Sequence, residues 1–184
     1  MTSSLADQFY YSGNTLHIES RSVVSIPERI GTPFYCYSEA RLLENISRCK
    51  AAFEPFDIGI HYAMKANSNL HILRLVAAQG LGVDLVSGGE LFRALKAGFA
   101  PSSMIFSGVG KTVSELNYAI ENEIGQFNVE SAEELAVLAC GSIETASTSF
   151  CLGKTCGGTD CSELILTPCD DIVDVDIINL PTSL

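Results

Sequence analysis

Between residues 58 and 129, short apolar runs recur at intervals of roughly twenty residues, at 58–64, 82–86, 104–107 and 125–129. No other feature narrows the fold so far. Helical patterns fill the gaps. Leu70, Leu73, Val76 and Ala77 fall on one face, and Leu91, Phe92 and Leu95 on another. Ser131-Ala132-Glu133-Glu134 reads as a capping box that opens a helix through Leu135 and Leu138. Upstream, residues 33–37 read as one more strand, followed by a helix with Leu42, Leu43 and Ile46 on one side. Strand and helix in regular alternation predict βα units on a parallel sheet, whose strands are expected to be buried on both faces.

Such a sheet can stay open and doubly wound, or it can curl into part of a (β/α)8 barrel. A complete barrel takes about 250 residues, and this chain has 184. Residues 31–138 hold only about five βα units, so the reading is a partial TIM-type barrel. Residues 1–30 differ. Tyr10 to Ile18 reads as two short strands about Gly13-Asn14, a β appendage ahead of the alternating region. From residue 139 the rhythm stops. Residues 140–184 contain seven acidic residues but only one basic residue, Lys154, and five of the seven cysteines. This tail is expected to be irregular.

Apolar content of 47% with 18% charged residues fits a folded domain. A net charge of −11 argues against nucleic acid or an anionic membrane as partner. Met1 to Asp7 has neither the basic start nor the apolar core of a signal peptide, so a cytoplasmic location and reduced thiols are expected.

Chemistry in a βα array collects at the carboxyl ends of strands. There Ile60-His61-Tyr62-Ala63-Met64 ends in Lys65, then breaks into Ala66-Asn67-Ser68-Asn69. Packed against Tyr62, Ala63 and Met64, the amine is expected to be partly desolvated and able to form a Schiff base with an aldehyde. The plainer reading is a surface lysine capping a strand. Polar turns follow the later strands too: Asp84 with Ser87-Gly88-Gly89-Glu90, then Ser107 to Thr112, then Asn128 to Ser131. Each feeds a helix start suited to an anion.

Other motifs fail on spacing. A phosphate loop ending in Gly110-Lys111-Thr112 needs glycine at 105, which is Ile105. Gly153-Lys154-Thr155 has Thr148 in the corresponding place. Cys151, Cys156, Cys161 and Cys169 form no Cys-x-x-Cys pair and have no histidine near them, so no metal site is expected. His17, His61 and His71 stand apart and read as structural.

Thr32 to Tyr37, Tyr62 to Asn69, Asp84 to Leu91, Phe106 to Thr112 and Phe127 to Ser131 closely resemble, in order and spacing, the N-terminal half of the ornithine, diaminopimelate and arginine decarboxylases. The Ser-Gly-Val-Gly-Lys-Thr turn resembles the diaminopimelate branch. The resemblance implies a pyridoxal-phosphate enzyme with an alanine-racemase-like barrel and a β-domain, working as a homodimer on a small amino-acid substrate. Lys65 matches the lysine that anchors the cofactor. Ala63 and Asp84 match positions lining it, and Ser87 and Glu90 lie in the same motif. The implied reaction turns meso-diaminopimelate into L-lysine.

The family's second half supplies a ring-stacking histidine, a glycine-rich phosphate loop, an acid for the pyridine nitrogen and groups that grip the substrate. Nothing after Leu138 resembles these. The expectation is therefore an N-terminal portion with an aberrant, out-of-frame-like tail, little activity of its own and an open edge near 125–129. The alternatives are a non-catalytic pyridoxal-phosphate or barrel-completing module, and another decarboxylase or racemase using the same cofactor.

Overall fold

The computed structural model describes residues 8–56, 58–141, 149–152 and 162–165. The chain forms two compact units, Met1–Ile58 and Gly59–Leu184.

In the first unit β1 (Phe9–Ser12), β2 (Thr15–Ile18) and β3 (Arg21–Ser22) pair antiparallel, followed by α1 (Pro27–Ile30) and α2 (Glu39–Phe53). The hairpin turns at Gly13 and Asn14, as expected, and Gly13 takes the left-handed φ of 59° that a tight two-residue turn calls for. Ser38 caps α2, its hydroxyl accepting the Arg41 N–H at 3.0 Å. Glu19 reaches the same helix start, accepting from the Ser38 hydroxyl at 2.7 Å and the Ala40 N–H at 3.1 Å. Those two donors, the hydroxyl first, hold its carboxyl below the usual range. Residues 33–37 are not a strand. Tyr35 is 91% and Tyr37 60% exposed, so the apolar run that suggested a strand has no layer to pack against.

The second unit carries the βα rhythm. β4 (His61–Ala63), α3 (Leu70–Ala78), β5 (Gly82–Leu85), α4 (Gly88–Ala97), β6 (Met104–Phe106), α5 (Val113–Glu121), β7 (Gln126–Val129) and α6 (Ala132–Gly141) make four βα units. β8 (Ser149–Leu152) adds a fifth parallel strand beside β7, and β9 (Ser162–Ile165) pairs antiparallel with β8. The sheet is open, in the order β4-β5-β6-β7-β8-β9, and matches part of a barrel without closing one.

Alternation along the strands decides where the core lies. Val83, Leu85, Met104, Phe106 and Phe127 are fully buried, and Val129 nearly so. Leu73 and Val76 of α3, Leu91 and Ala94 of α4, Leu116 and Ala119 of α5 and Leu138 of α6 are likewise removed from solvent. Each large side chain among them contributes about 2 kcal/mol by burial. The rings of Phe106 and Phe127 stack with centroids 6.2 Å apart.

The opposite face is different. Its strand positions hold His61, Ala63, Asp84, Ile105, Gln126 and Asn128, all half-buried or exposed. The strands are therefore not buried on both faces, because only one face carries the helices' apolar residues. The open edge expected at 125–129 is also absent, since β8 pairs with all four residues of β7. That strand begins at Ser149, inside a stretch whose small polar residues gave no strand period. The remainder of the tail, with Cys156, Cys161 and Cys169, lies outside the described residues. Phe92, expected on the apolar face of α4, is 53% exposed, with the Lys96 ammonium 5.6 Å from its ring centroid.

Gly125 starts the run into β7 where the backbone of Ser102 passes close. A Cβ there would stand 2.2 Å from the Ser102 carbonyl oxygen. Gly125→Ala is expected to cost about 1–3 kcal/mol, read as a lower urea midpoint with an unchanged slope.

Candidate active site

The carboxyl ends of β4 to β7 bring the sequence-predicted residues to one rim. Ala63 ends β4 and stands opposite Asp84 of β5 in the parallel register. Lys65 follows two residues later in a 3-10 turn over Met64–Ala66. Ser87 and Glu90 lie just beyond β5, at the start of α4.

The turn that carries Lys65 is tied down at both sides. The Tyr62 hydroxyl donates to the Asn67 carbonyl at 3.0 Å, and Arg93 Nη1 to the Ser68 carbonyl at 3.1 Å. The Asn67 side chain accepts the Asn69 N–H, and the Asn69 side chain in turn caps α3 by accepting the His71 N–H, both at 2.9 Å. Met64 points into the core and is fully buried. Lys65, by contrast, is exposed rather than partly desolvated: the 3-10 turn rotates it away from Met64 into solvent. Among the described residues its amine has no hydrogen-bond or ion-pair partner. A fixed backbone thus presents an unengaged amine.

Asp84 anchors the open face. Ser107, one residue past β6, donates its hydroxyl to Asp84 Oδ1. Asn128 of β7 donates through Nδ2 to the Ser107 hydroxyl oxygen at 2.9 Å, and Gln126 through Nε2 to Asn128 Oδ1, also at 2.9 Å. The chain crosses three strands, and every donor points toward Asp84. The second oxygen, Oδ2, accepts no hydrogen bond among the described residues. Ser107 and Asn128 were visible in the sequence only as polar turn residues; their link appears once the register sets β5, β6 and β7 side by side.

The helix starts on this rim are less open to anions than expected. Ser87 caps α4, accepting the Glu90 N–H at 3.2 Å, while Glu90 accepts the Val86 N–H at 2.7 Å. Glu115 then fills the start of α4 from the neighbouring helix, accepting the Gly88 N–H at 2.9 Å. It also accepts the Thr112 N–H at 3.0 Å and the Thr112 hydroxyl at 2.8 Å, completing the capping box of α5. The Gly88 amide first, then the two Thr112 donors, hold the Glu115 carboxyl below its ordinary value. The box expected at Ser131 is only half made. Ser131 accepts the Glu134 N–H at 3.1 Å, but the Glu134 carboxylate turns instead to Lys111 at 2.6 Å.

An aldehyde cofactor fits part of this arrangement. The Lys65 amine, unpartnered among the described residues, is free to take the aldehyde, and Asp84 Oδ2 remains able to accept a hydrogen bond. At the start of α4 the Gly88 N–H is already held by Glu115 and is not available to a phosphate. No group of three or more His, Cys, Asp or Glu among the described residues can hold a metal ion. None of the described helices is long and apolar enough to cross a membrane.

The chain is similar to known proteins. A family model described as the pyridoxal-binding domain of pyridoxal-dependent decarboxylases matches residues 20–146. A diaminopimelate decarboxylase of Aquifex aeolicus is 44% identical over 128 residues, covering 70% of this chain and 30% of the relative. One from Zymomonas mobilis is 42% identical over 134 residues, covering 71% of this chain and 32% of its own length. The crystal structure of a diaminopimelate decarboxylase from M. jannaschii matches with a TM-score of 0.74 at 33% identity, covering 78% of this chain and 35% of that one. The chain thus spans less than a third of the length of these two curated relatives.

The Glu115 carboxylate on this rim links protonation to stability through the donors that hold it. Its folded pKa is depressed, so its contribution is fully present above the ordinary value of 4.5 and is lost as pH falls below it, through the folded value. Melting temperatures measured between pH 6 and 3 should fall more steeply for the native chain than for Glu115→Gln. Parallel curves would refute the role given to this carboxylate.

Proposed function

This chain belongs to the pyridoxal-dependent decarboxylase family, and we propose that it carries the cofactor-anchoring part of a decarboxylase acting on meso-diaminopimelate. The observation that supports this most is the exposed, unpartnered amine of Lys65 on a turn whose backbone is fixed by Tyr62 and Arg93. The substrate assignment leans on the relatives named diaminopimelate decarboxylase and on a solved relative described in complex with L-lysine, 33% identical to this chain.

In this reading Lys65 would hold the cofactor through its amine, and its Nζ would carry a proton to or from the reacting atoms. Ala63 keeps the space beside that amine clear, and a larger side chain there would crowd the ring. Asp84 faces the same space from β5, held in one orientation by Ser107. Ser87 fixes the first turn of α4 beside them by capping it. When bound, pyridoxal phosphate supplies the electron sink that accepts the pair left as a carboxylate departs as CO2. The remaining substrate contacts and a homodimeric assembly belong to the proposal by family likeness.

A second reading, a cofactor-binding module without turnover, is favoured by the open sheet face, where one amine and one carboxylate meet no described group able to grip a second amino-acid head. The two readings part on CO2 release.

Pyridoxal phosphate added to the protein should be trapped on Lys65 by borohydride, giving one modified peptide by mass spectrometry and a shifted absorbance band. Lys65→Ala should lose both, and modification spread over other lysines would sink the proposal. With the 184 residues alone, CO2 release from diaminopimelate is expected to stay at the level of Lys65→Ala; release above that level would favour the enzyme reading over the module.

A further inference from the structure

Lys111 is a buried lysine that the cofactor anchor does not use. Its side chain is 1% exposed. An ammonium has three protons, and three acceptors surround this one: the Gly108 carbonyl at 2.7 Å, the Asn128 carbonyl at 2.8 Å and Glu134 Oε1 at 2.6 Å. The Phe106 ring lies beneath, its centroid 5.9 Å away. No donor remains for a ligand, so the group acts on the protein itself.

The three acceptors come from three elements: the turn after β6, the last part of β7 and the first turn of α6. The β6–β7 ladder has its last paired residues at Phe106 and Phe127. Ser107 and Asn128 each lie one residue beyond it. Past that point Lys111 bridges the two strand ends, gripping the carbonyl next to Ser107 and the carbonyl of Asn128 itself. Those are the two residues whose side chains carry the hydrogen bond to Asp84.

We propose that Lys111 is a positioning residue for the cofactor site, stapling the ends of β6 and β7 so that Asn128 and Ser107 hold Asp84 in one orientation on the open face. This rests on reading that face as the cofactor site. Ion pairing with Glu134 keeps the staple in place and explains why that carboxylate leaves its capping box. A merely structural role predicts that any change restoring stability restores cofactor binding too. A positioning role separates the two.

Three variants make the test. Lys111→Met removes the donors and leaves Glu134 buried. Lys111→Met with Glu134→Leu replaces the ion pair by apolar volume, an exchange that often recovers stability. Ser107→Ala breaks the chain to Asp84 without touching the buried pair. The double variant is expected to melt near the native temperature, yet bind pyridoxal phosphate about tenfold more weakly, as loss of a supporting contact does elsewhere. Ser107→Ala should show the same weakening. Without any cofactor, the NMR side-chain amide signals of Asn128 should move in both Lys111 variants. Unmoved Asn128 signals, or binding that returns together with stability, would overturn the proposal. If the Lys111 variants do not fold, native affinity in Ser107→Ala overturns it by itself. Should the native protein not take the cofactor on Lys65 at all, the cofactor reading fails, and the Asn128 signals still decide whether Lys111 sets the strand ends.

Discussion

The two-residue period of four parallel strands governs everything else in the larger unit. It sends Val83, Leu85, Met104, Phe106 and Phe127 into a sealed apolar layer and leaves Asp84, Gln126 and Asn128 on the far side. A slip of one residue in any strand would exchange the two sets. The apolar layer therefore supplies stability and, through register, also fixes which polar groups can meet. Asp84, Ser107 and Asn128 are far apart in the chain yet adjacent on the sheet for this reason.

Carboxylates do unusual work in this acidic molecule. Glu134 reads as a helix-capping residue by sequence and Glu115 completes the capping box of α5, yet each also reaches a neighbouring element. Glu115 binds the first amide of α4 as well as its own cap, joining two helix starts through one side chain. Glu134 gives up its cap for a buried ammonium. The rim is thus cross-braced from within, which suits a site where a single amine must stay free while the backbone around it does not move.

Much of this was legible in the sequence. The apolar runs from residue 58 onward mark β4 to β7, since strand, turn and helix signals agree there. Tyr10 to Ile18 likewise gives its hairpin through Gly13 and Asn14. Residues 33–37 carried the same apolar signal without forming a strand, because an apolar run reports only a capacity for burial and not whether a layer is available. Phe92 misled for a related reason, as an aromatic ring can spend its face on a lysine ammonium. The polar chain to Asp84 and the Lys111 staple could not be read from local pattern, because both are made by residues some twenty positions apart that meet only across the sheet. Family likeness supplied the remaining roles, those of Lys65, Ala63, Asp84 and Ser87, which remain proposals.

The reversal at β9 has a geometric consequence. Strands β4 to β8 all run toward the rim that carries Lys65, whereas β9 runs back. Ile165 therefore sits at the floor of the sheet, at the far end from the amine. A barrel grows by adding strands in one common direction, and β9 occupies the outer edge of β8 in the wrong sense. On that flank it acts as a terminator, and among the described strands growth in the common direction stays open only alongside β4.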